Sequence, residues 1–184
     1  FAGAENPAAC NTHPDPDIDL AIVRINPNIL AKDGIQFSYF HSDSHVADRK
    51  SLEDLGITEG DFGYILGFPM GLVGEQRSFV VVRQGTIARI RDYLAGASKE
   101  ILMDCMIFPG NSGGPVVTKP EAMSIQGTKS QVAAYLLGVV VSSISYRDVA
   151  VSMQTKRPRV VFEDNSGLAS IVPVQYLVDL IQSL

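Results

Sequence analysis

Phe108-Pro109-Gly110-Asn111-Ser112-Gly113-Gly114-Pro115-Val116-Val117 presents one serine in a turn crowded with glycine and then runs directly into an apolar strand. A serine hydroxyl is a weak nucleophile by itself: it needs a base to take its proton and backbone donors to hold the oxyanion that forms. Glycines at 110, 113 and 114 suit the second requirement, because a backbone without Cβ atoms reaches positive φ and turns its N–H groups inward. Ser112 is the expected nucleophile, and the N–H groups of Gly110 and Ser112 are the expected donors. Pro, Gly, Asn and Ser are also the ordinary residues of surface turns. Their concentration in one window argues against that plainer reading.

Gly110-Asn111-Ser112-Gly113-Gly114 also fits the G-x-S-x-G elbow of α/β-hydrolases, where the serine sits between a strand and a helix and its histidine comes later. Two features exclude it. Gly-Gly-Pro-Val-Val-Thr after Ser112 is poor helix and good strand, and no histidine follows His45. A base supplied by this chain has to precede the serine, in the order His, Asp, Ser. Gly110-Asn111-Ser112-Gly113-Gly114-Pro115 resembles the serine motif of trypsin-like, chymotrypsin-fold peptidases, especially the bacterial high-temperature-requirement type, in which Pro-Gly-Asn precedes the serine. Asn111 stands where trypsin has an aspartate that pairs with a newly cut N-terminus, so that activation route is not implied.

The 184 residues, 46% of them hydrophobic, suffice for one domain or for two small barrels sharing a cleft. A formal charge of −5 argues against a nucleic-acid or anionic-membrane surface. The one basic cluster, Lys156-Arg157-Pro158-Arg159, reads as a solvated loop, with anion binding the alternative. Cys10 and Cys105 allow one bridge and no disulfide framework; Cys105, in the apolar run 101–107, reads as a buried thiol. No run is long and apolar enough to span a bilayer. The start at Phe1 suggests that a leader or more has been removed.

Along the chain, 1–16 reads as loop and Ile18 to Ile25 as a strand buried over most of its length. Residues 26–33 form a turn-rich break, Gly34 to Phe40 reads as a further strand, and 41–45 is a polar loop. His41 and His45, four apart without a third ligand, read as solvent-exposed residues and not as a metal site. From Gly63 onward the pattern is β. Phe79 to Arg91 is β-branched and bent at Gly85, Glu100 to Ile107 leads into the serine turn, and Tyr135 to Ser143 is a strong strand. A long polar stretch, 146–167, precedes a last strand, 168–173. Val174, Leu177, Val178, Ile181 and Leu184 then mark one helical face.

The resemblance implies an all-β fold of two six-stranded antiparallel barrels, the first incomplete, with a C-terminal α-helix. Residues 1–60 are the remnant of the N-terminal barrel with its connector, 61–173 the C-terminal barrel carrying the serine, and 174–184 the helix. Asp19-Leu20-Ala21-Ile22-Val23-Arg24-Ile25 is similar to the family's aspartate motif, so Asp19 is expected to orient and support the histidine, with Asp17 the fallback. Gly-x-Pro-x-Gly-Leu at 67–72 matches a loop of the second barrel. By the same resemblance Met106 lies at the base of the pocket for the residue before the cut bond. Val141, Ser142 and Ser143 form one wall and pair with an extended peptide, and Gly167 keeps the pocket open. A medium-sized apolar side chain is the implied preference.

The histidine departs from the pattern. His13 lies only six residues before Asp19, too near for the family's arrangement, and neither His13, His41 nor His45 has the family's sequence context. The expected base therefore lies outside these residues, with the missing strands of the first barrel. The implied function is a serine endopeptidase acting through an acyl-enzyme on a peptide or protein substrate, with no metal or cofactor. The alternative is a catalytically inactive peptidase-like domain that binds extended peptides or scaffolds a partner. Oligomeric state and compartment are not implied.

Overall fold

The computed structural model describes residues 10–72, 79–120 and 133–184. Six antiparallel strands close into a barrel: β3 (Phe62–Gly67), β4 (Val81–Arg89), β5 (Ile101–Asp104), β6 (Pro115–Thr118), β7 (Leu136–Val151) and β8 (Pro158–Pro173). Their order is β3-β4-β5-β8-β7-β6, and β6 returns to β3 through Ile65 opposite Val116. Alternation along each strand sends Ile65, Ile87, Ile101, Met103, Val116, Val140 and Ile171 into one core. Gly85 sits where β4 crosses β5, and a Cβ there would press on the Asp104 carbonyl and the Cys105 side chain. Cys105 is a free, buried thiol and Cys10 a free, exposed one.

Ahead of the barrel, β1 (Cys10–Thr12) and β2 (Ala21–Val23) make a two-stranded sheet, with Asn11 opposite Ile22. This is the incomplete first sheet that the sequence leads one to expect. Only three residues of the expected 18–25 strand are paired: Ile18 and Leu20 are buried, but Val23 and Ile25 are exposed. The expected strand over 34–40 does not form, and those residues are exposed coil. A strand exists only beside a partner that takes its backbone hydrogen bonds, and among the described residues none flanks this segment. The break at 26–33 contains α1 (Pro27–Lys32), started by Asn26, whose side chain accepts from the Asn28 N–H, and by Pro27 at the first helical position. In the connector, α2 (Arg49–Leu55) is capped by Asp48 and closed by left-handed Gly56, burying Leu52.

Past α2, Glu59 binds the start of α3 (Arg91–Leu94): its carboxylate accepts from the N–H groups of Ile90 and Arg91 and meets the Arg91 guanidinium at 2.9 Å. Burial pushes this carboxyl up, yet those backbone bonds and the Thr58 hydroxyl outweigh it and bring it down to about 2.

The polar stretch 146–167 is not a connection. β7 and β8 run on past the barrel as a two-stranded ribbon, pairing Tyr146 with Asp164, Arg147 with Glu163 and Val149 with Val161. Both faces of the ribbon are exposed, so no buried residues mark its period in the sequence. Finally α4 (Val174–Gln182) lays Val174 and Leu180 against the barrel, and a second cluster of Ile18, Leu20, Val172 and Leu180 seats the N-terminal sheet beside it.

Candidate active site

The turn between β5 and β6 is held from beneath by the segment after β3. The Phe68 N–H donates to the Gly110 carbonyl at 3.2 Å, and the Met70 N–H donates to the Pro109 carbonyl at 2.6 Å. A trans peptide is planar, so clamping the Pro109 carbonyl on one side turns the Gly110 N–H to the other. The same logic applies two residues on: the Asn111 carbonyl accepts from the Gly114 N–H at 2.9 Å, which turns the Ser112 N–H the opposite way. Neither the Gly110 nor the Ser112 N–H has a hydrogen-bond partner among the described residues. Gly110 holds φ at 98°, and a Cβ there would collide with the Phe68 carbonyl oxygen. The chain cannot close this tightly around any other residue.

Asn111 is the turn's internal brace. It is 0% exposed; its N–H donates to the Phe108 carbonyl at 3.0 Å, and its Oδ1 accepts the Phe108 N–H at 3.0 Å. Its Nδ2 is buried and finds no acceptor among the described residues. Ser112 is exposed beside it, with its Oγ donating to the Val141 carbonyl at 2.8 Å.

Ser112 and Asp19 line one cavity of about 410 Å³, together with Leu20, Ala21, Gly113, Val139 to Val141 and Leu177. A tight turn before β2 carries Asp19 there, the Leu20 N–H donating to the Ile18 carbonyl at 2.9 Å. The flanking Ile18 and Leu20 are both buried in the cluster with Val172 and Leu180, which leaves the residue between them on the cavity side. Asp17 is engaged elsewhere. With Asp15 it grips Lys99, at 2.9 and 2.7 Å, tying the loop before Asp19 to the barrel. The Lys99 bond holds the Asp15 carboxyl below its usual range, and the two carboxylates push the Lys99 ammonium upward.

No histidine of the chain lines that cavity. The His13 Nδ1 accepts the Asp15 N–H at 3.1 Å while its ring meets Tyr176 edge-on, and His45 accepts from the His41 backbone. Among the described residues no cluster of three metal-ligating side chains occurs.

A second cavity of about 290 Å³ opens on the other side of Ser112, lined by Ile107, Phe108, Pro109, Val141, Ser142 and Ser143. The strand wall expected of Val141, Ser142 and Ser143 is therefore part of it. Met106 is not: it is 44% exposed, and the lining begins one residue later at Ile107. Gly167 also stands back from the cavity, at φ 85°, where its carbonyl accepts the Cys105 N–H. Beside Gly167, the Asn165 Nδ2 donates to the Ile107 carbonyl at 2.6 Å and its Oδ1 accepts the Gly167 N–H at 2.9 Å. Asn165 belongs to the polar stretch 146–167, and Asn-Ser-Gly there is a turn signal.

Against known proteins, a family model described as trypsin-like peptidase domain matches residues 2–122. Among solved structures, an HtrA-type protease, an AlgW variant with a tripeptide, is similar at 20% identity and a TM-score of 0.41, over 76% of this chain and 34% of that one. The chain thus spans about a third of that protein's length. No curated protein matches it.

Proposed function

Because the chain belongs to the trypsin-like peptidase domain family, we propose that it is the serine-bearing part of an endopeptidase. Ser112 attacks the peptide carbonyl, and the N–H groups of Gly110 and Ser112 hold the oxyanion. Asp19 orients a histidine that shuttles the proton and comes from outside these 184 residues. One observation carries the reading: Asp19 and Ser112, distant in sequence, line the same cavity, and no side chain of a base fills it. In this resting arrangement the Ser112 proton rests on the Val141 carbonyl, which can orient the hydroxyl but cannot take its proton. A histidine between Ser112 and Asp19 draws the hydroxyl away from Val141 and accepts that proton. The resulting acyl-enzyme is then hydrolysed by water activated by the same imidazole.

The cavity beside Ser112 receives the residue before the cut bond. Ile107, Phe108 and Pro109 line it and, among the described residues, no carboxylate does, so it takes an apolar side chain and not Lys or Arg. Labelling by a fluorophosphonate tests the assignment. The protein carrying its histidine is expected to be modified at Ser112, and the Ser112→Ala variant is not. Absence of labelling in the folded, histidine-bearing protein counts against the enzyme.

That none of His13, His41 and His45 reaches the cavity also favours a second reading, a peptidase-like domain that binds extended peptides without cutting them. The same experiment separates the two, since a binder holds peptide but leaves Ser112 unlabelled.

A further inference from the structure

The geometry points to a peptide-pairing edge that continues beyond the cavities: the free edge of β7 binds an extended segment of substrate through the seventh residue before the cut bond. This rests on the peptidase reading of Ser112. β7 is one strand of 16 residues, Leu136–Val151. Its first part is sandwiched: β8 lies on one side and β6 on the other, where the last pair is Pro115 with Val139. From Val141 onward β8 remains on one side, and no strand among the described residues covers the other.

Individual hydrogen bonds tell which groups face that open edge. The Val141 carbonyl faces it, because it accepts from Ser112. The Ile144 carbonyl faces the opposite way, accepting the Ser166 hydroxyl of β8 at 2.6 Å. The register with β8 shifts between Ser143 and Ser145, but the extra residues there belong to β8, so alternation along β7 turns Ser143, Ser145, Arg147 and Val149 outward. At Val149 the edge is blunted, since its N–H is taken by the Asp148 carboxylate at 2.7 Å. The usable edge therefore presents Val141, Ser143, Ser145 and Arg147, about 20 Å of strand.

A peptide antiparallel to β7, with its cut bond at Ser112, sets its first residue against Val141, its third against Ser143, its fifth against Ser145 and its seventh against Arg147. Continuity with the cavity at Ser112 identifies the occupant as the substrate's own chain, because a peptide seated at Val141 and Ser143 needs only to stay extended to reach the ribbon. Side chains alternate too. The fourth and sixth residues share a face with Ile144 and Tyr146, beside Phe162 of β8, which are 39%, 59% and 53% exposed. Apolar or aromatic side chains are favoured there. The seventh meets the exposed ion pair of Arg147 with Glu163.

The test is binding, with cleavage removed by Ser112→Ala in the full-length protein. Fluorescein-labelled peptides of alternating Thr and Val, with Leu before the cut position, extend three, five, seven or nine residues upstream and are followed by anisotropy. Affinity is expected to rise about tenfold from three to seven residues, the gain of two to three net hydrogen bonds, and to stop there. Replacing 147–163 by Asn-Gly, which joins paired Tyr146 and Asp164 through a tight hairpin turn, is expected to move the plateau to five. Arg147→Pro, which removes one outward N–H and no bond to β8, is expected to do the same. Aspartate at the fourth and sixth positions is expected to weaken the seven-residue peptide and leave the three-residue one unchanged. A plateau at three residues, or a gain indifferent to the shortened ribbon, overturns the extended edge while leaving the peptidase reading intact. Failure of every peptide to bind removes both. Self-association of the free protein that disappears with the shortened ribbon also overturns the proposal, by giving the edge to a second copy.

Discussion

Replacing Gly110 by alanine perturbs the serine turn at its tightest point. An added Cβ has to satisfy two demands at once. It sits at φ 98°, where an L-residue costs about 1–2 kcal/mol, and it collides with the Phe68 carbonyl. Relieving the collision means drawing the turn away from the Phe68 to Met70 segment, which gives up the bonds from Phe68 N–H to Gly110 and from Met70 N–H to Pro109, about 1 kcal/mol each. The sum is a destabilisation of about 3–4 kcal/mol. Gly113→Ala is the control: its φ is 80°, but nothing lies within 4 Å of the new Cβ, so only the conformational cost of about 1–2 kcal/mol applies. Urea denaturation of both variants, with the slope unchanged, measures the difference. Rotation of the 109–110 peptide also withdraws the Gly110 N–H, so fluorophosphonate labelling of the histidine-bearing protein is expected to slow by on the order of a hundredfold. Equal stability of the two variants, within about 0.5 kcal/mol, would refute the clamped turn.

If the cavity between Ser112 and Asp19 is built for an imidazole, free imidazole added to the chain is expected to raise the labelling rate of Ser112, and less so in Asp19→Ala; an unchanged rate counts against the pairing. Lys99→Met removes the ammonium shared by Asp15 and Asp17 and is expected to loosen the loop that carries Asp19, seen as faster hydrogen exchange at the His13 N–H, which donates to Leu20. High salt should mimic it in the parent protein. Asn111→Asp puts a carboxylate into a fully buried position with one backbone donor, and is expected to destabilise by several kcal/mol at pH 7 and less at pH 4, as the buried acid takes a proton. Glu59 has the opposite sign. Its carboxyl takes its proton near 4.5 unfolded and at about 2 folded, so the unfolded state holds more protons between those values and stability falls as pH drops through them. Glu59→Gln is expected to flatten that part of the urea-midpoint profile, and parallel profiles would contradict the role of this side chain at α3.

Much of the barrel was readable because its strands are half-buried and alternate. Ile65, Ile87, Met103 and Ile171 announce a core-facing side wherever they recur. The C-terminal helix was readable for the same reason at another period. Two errors share one cause. Residues 34–40 have strand composition but no partner strand among the described residues, and the arm from Tyr146 to Asp164 has a neighbour but no buried side. Strand pairing is a relation between segments, and composition registers only the burial that commonly accompanies it. Met106 illustrates a smaller limit: counting back from Ser112 gives a position in the chain, while the lining of the cavity depends on how Asn165 pins the Ile107 carbonyl.

By itself the sequence determined what is local: a turn crowded with glycine, a serine within it, apolar strands that alternate, and a closing amphipathic helix. Those follow from φ, Cβ and side-chain period, which each residue carries wherever it goes. Only the tertiary structure decided that Asp19 and Ser112 share a cavity, that the three histidines stand apart from it, and that β7 leaves the barrel with an edge no described strand covers. These depend on which distant segments lie side by side when the barrel closes, and no short window of residues contains that distance.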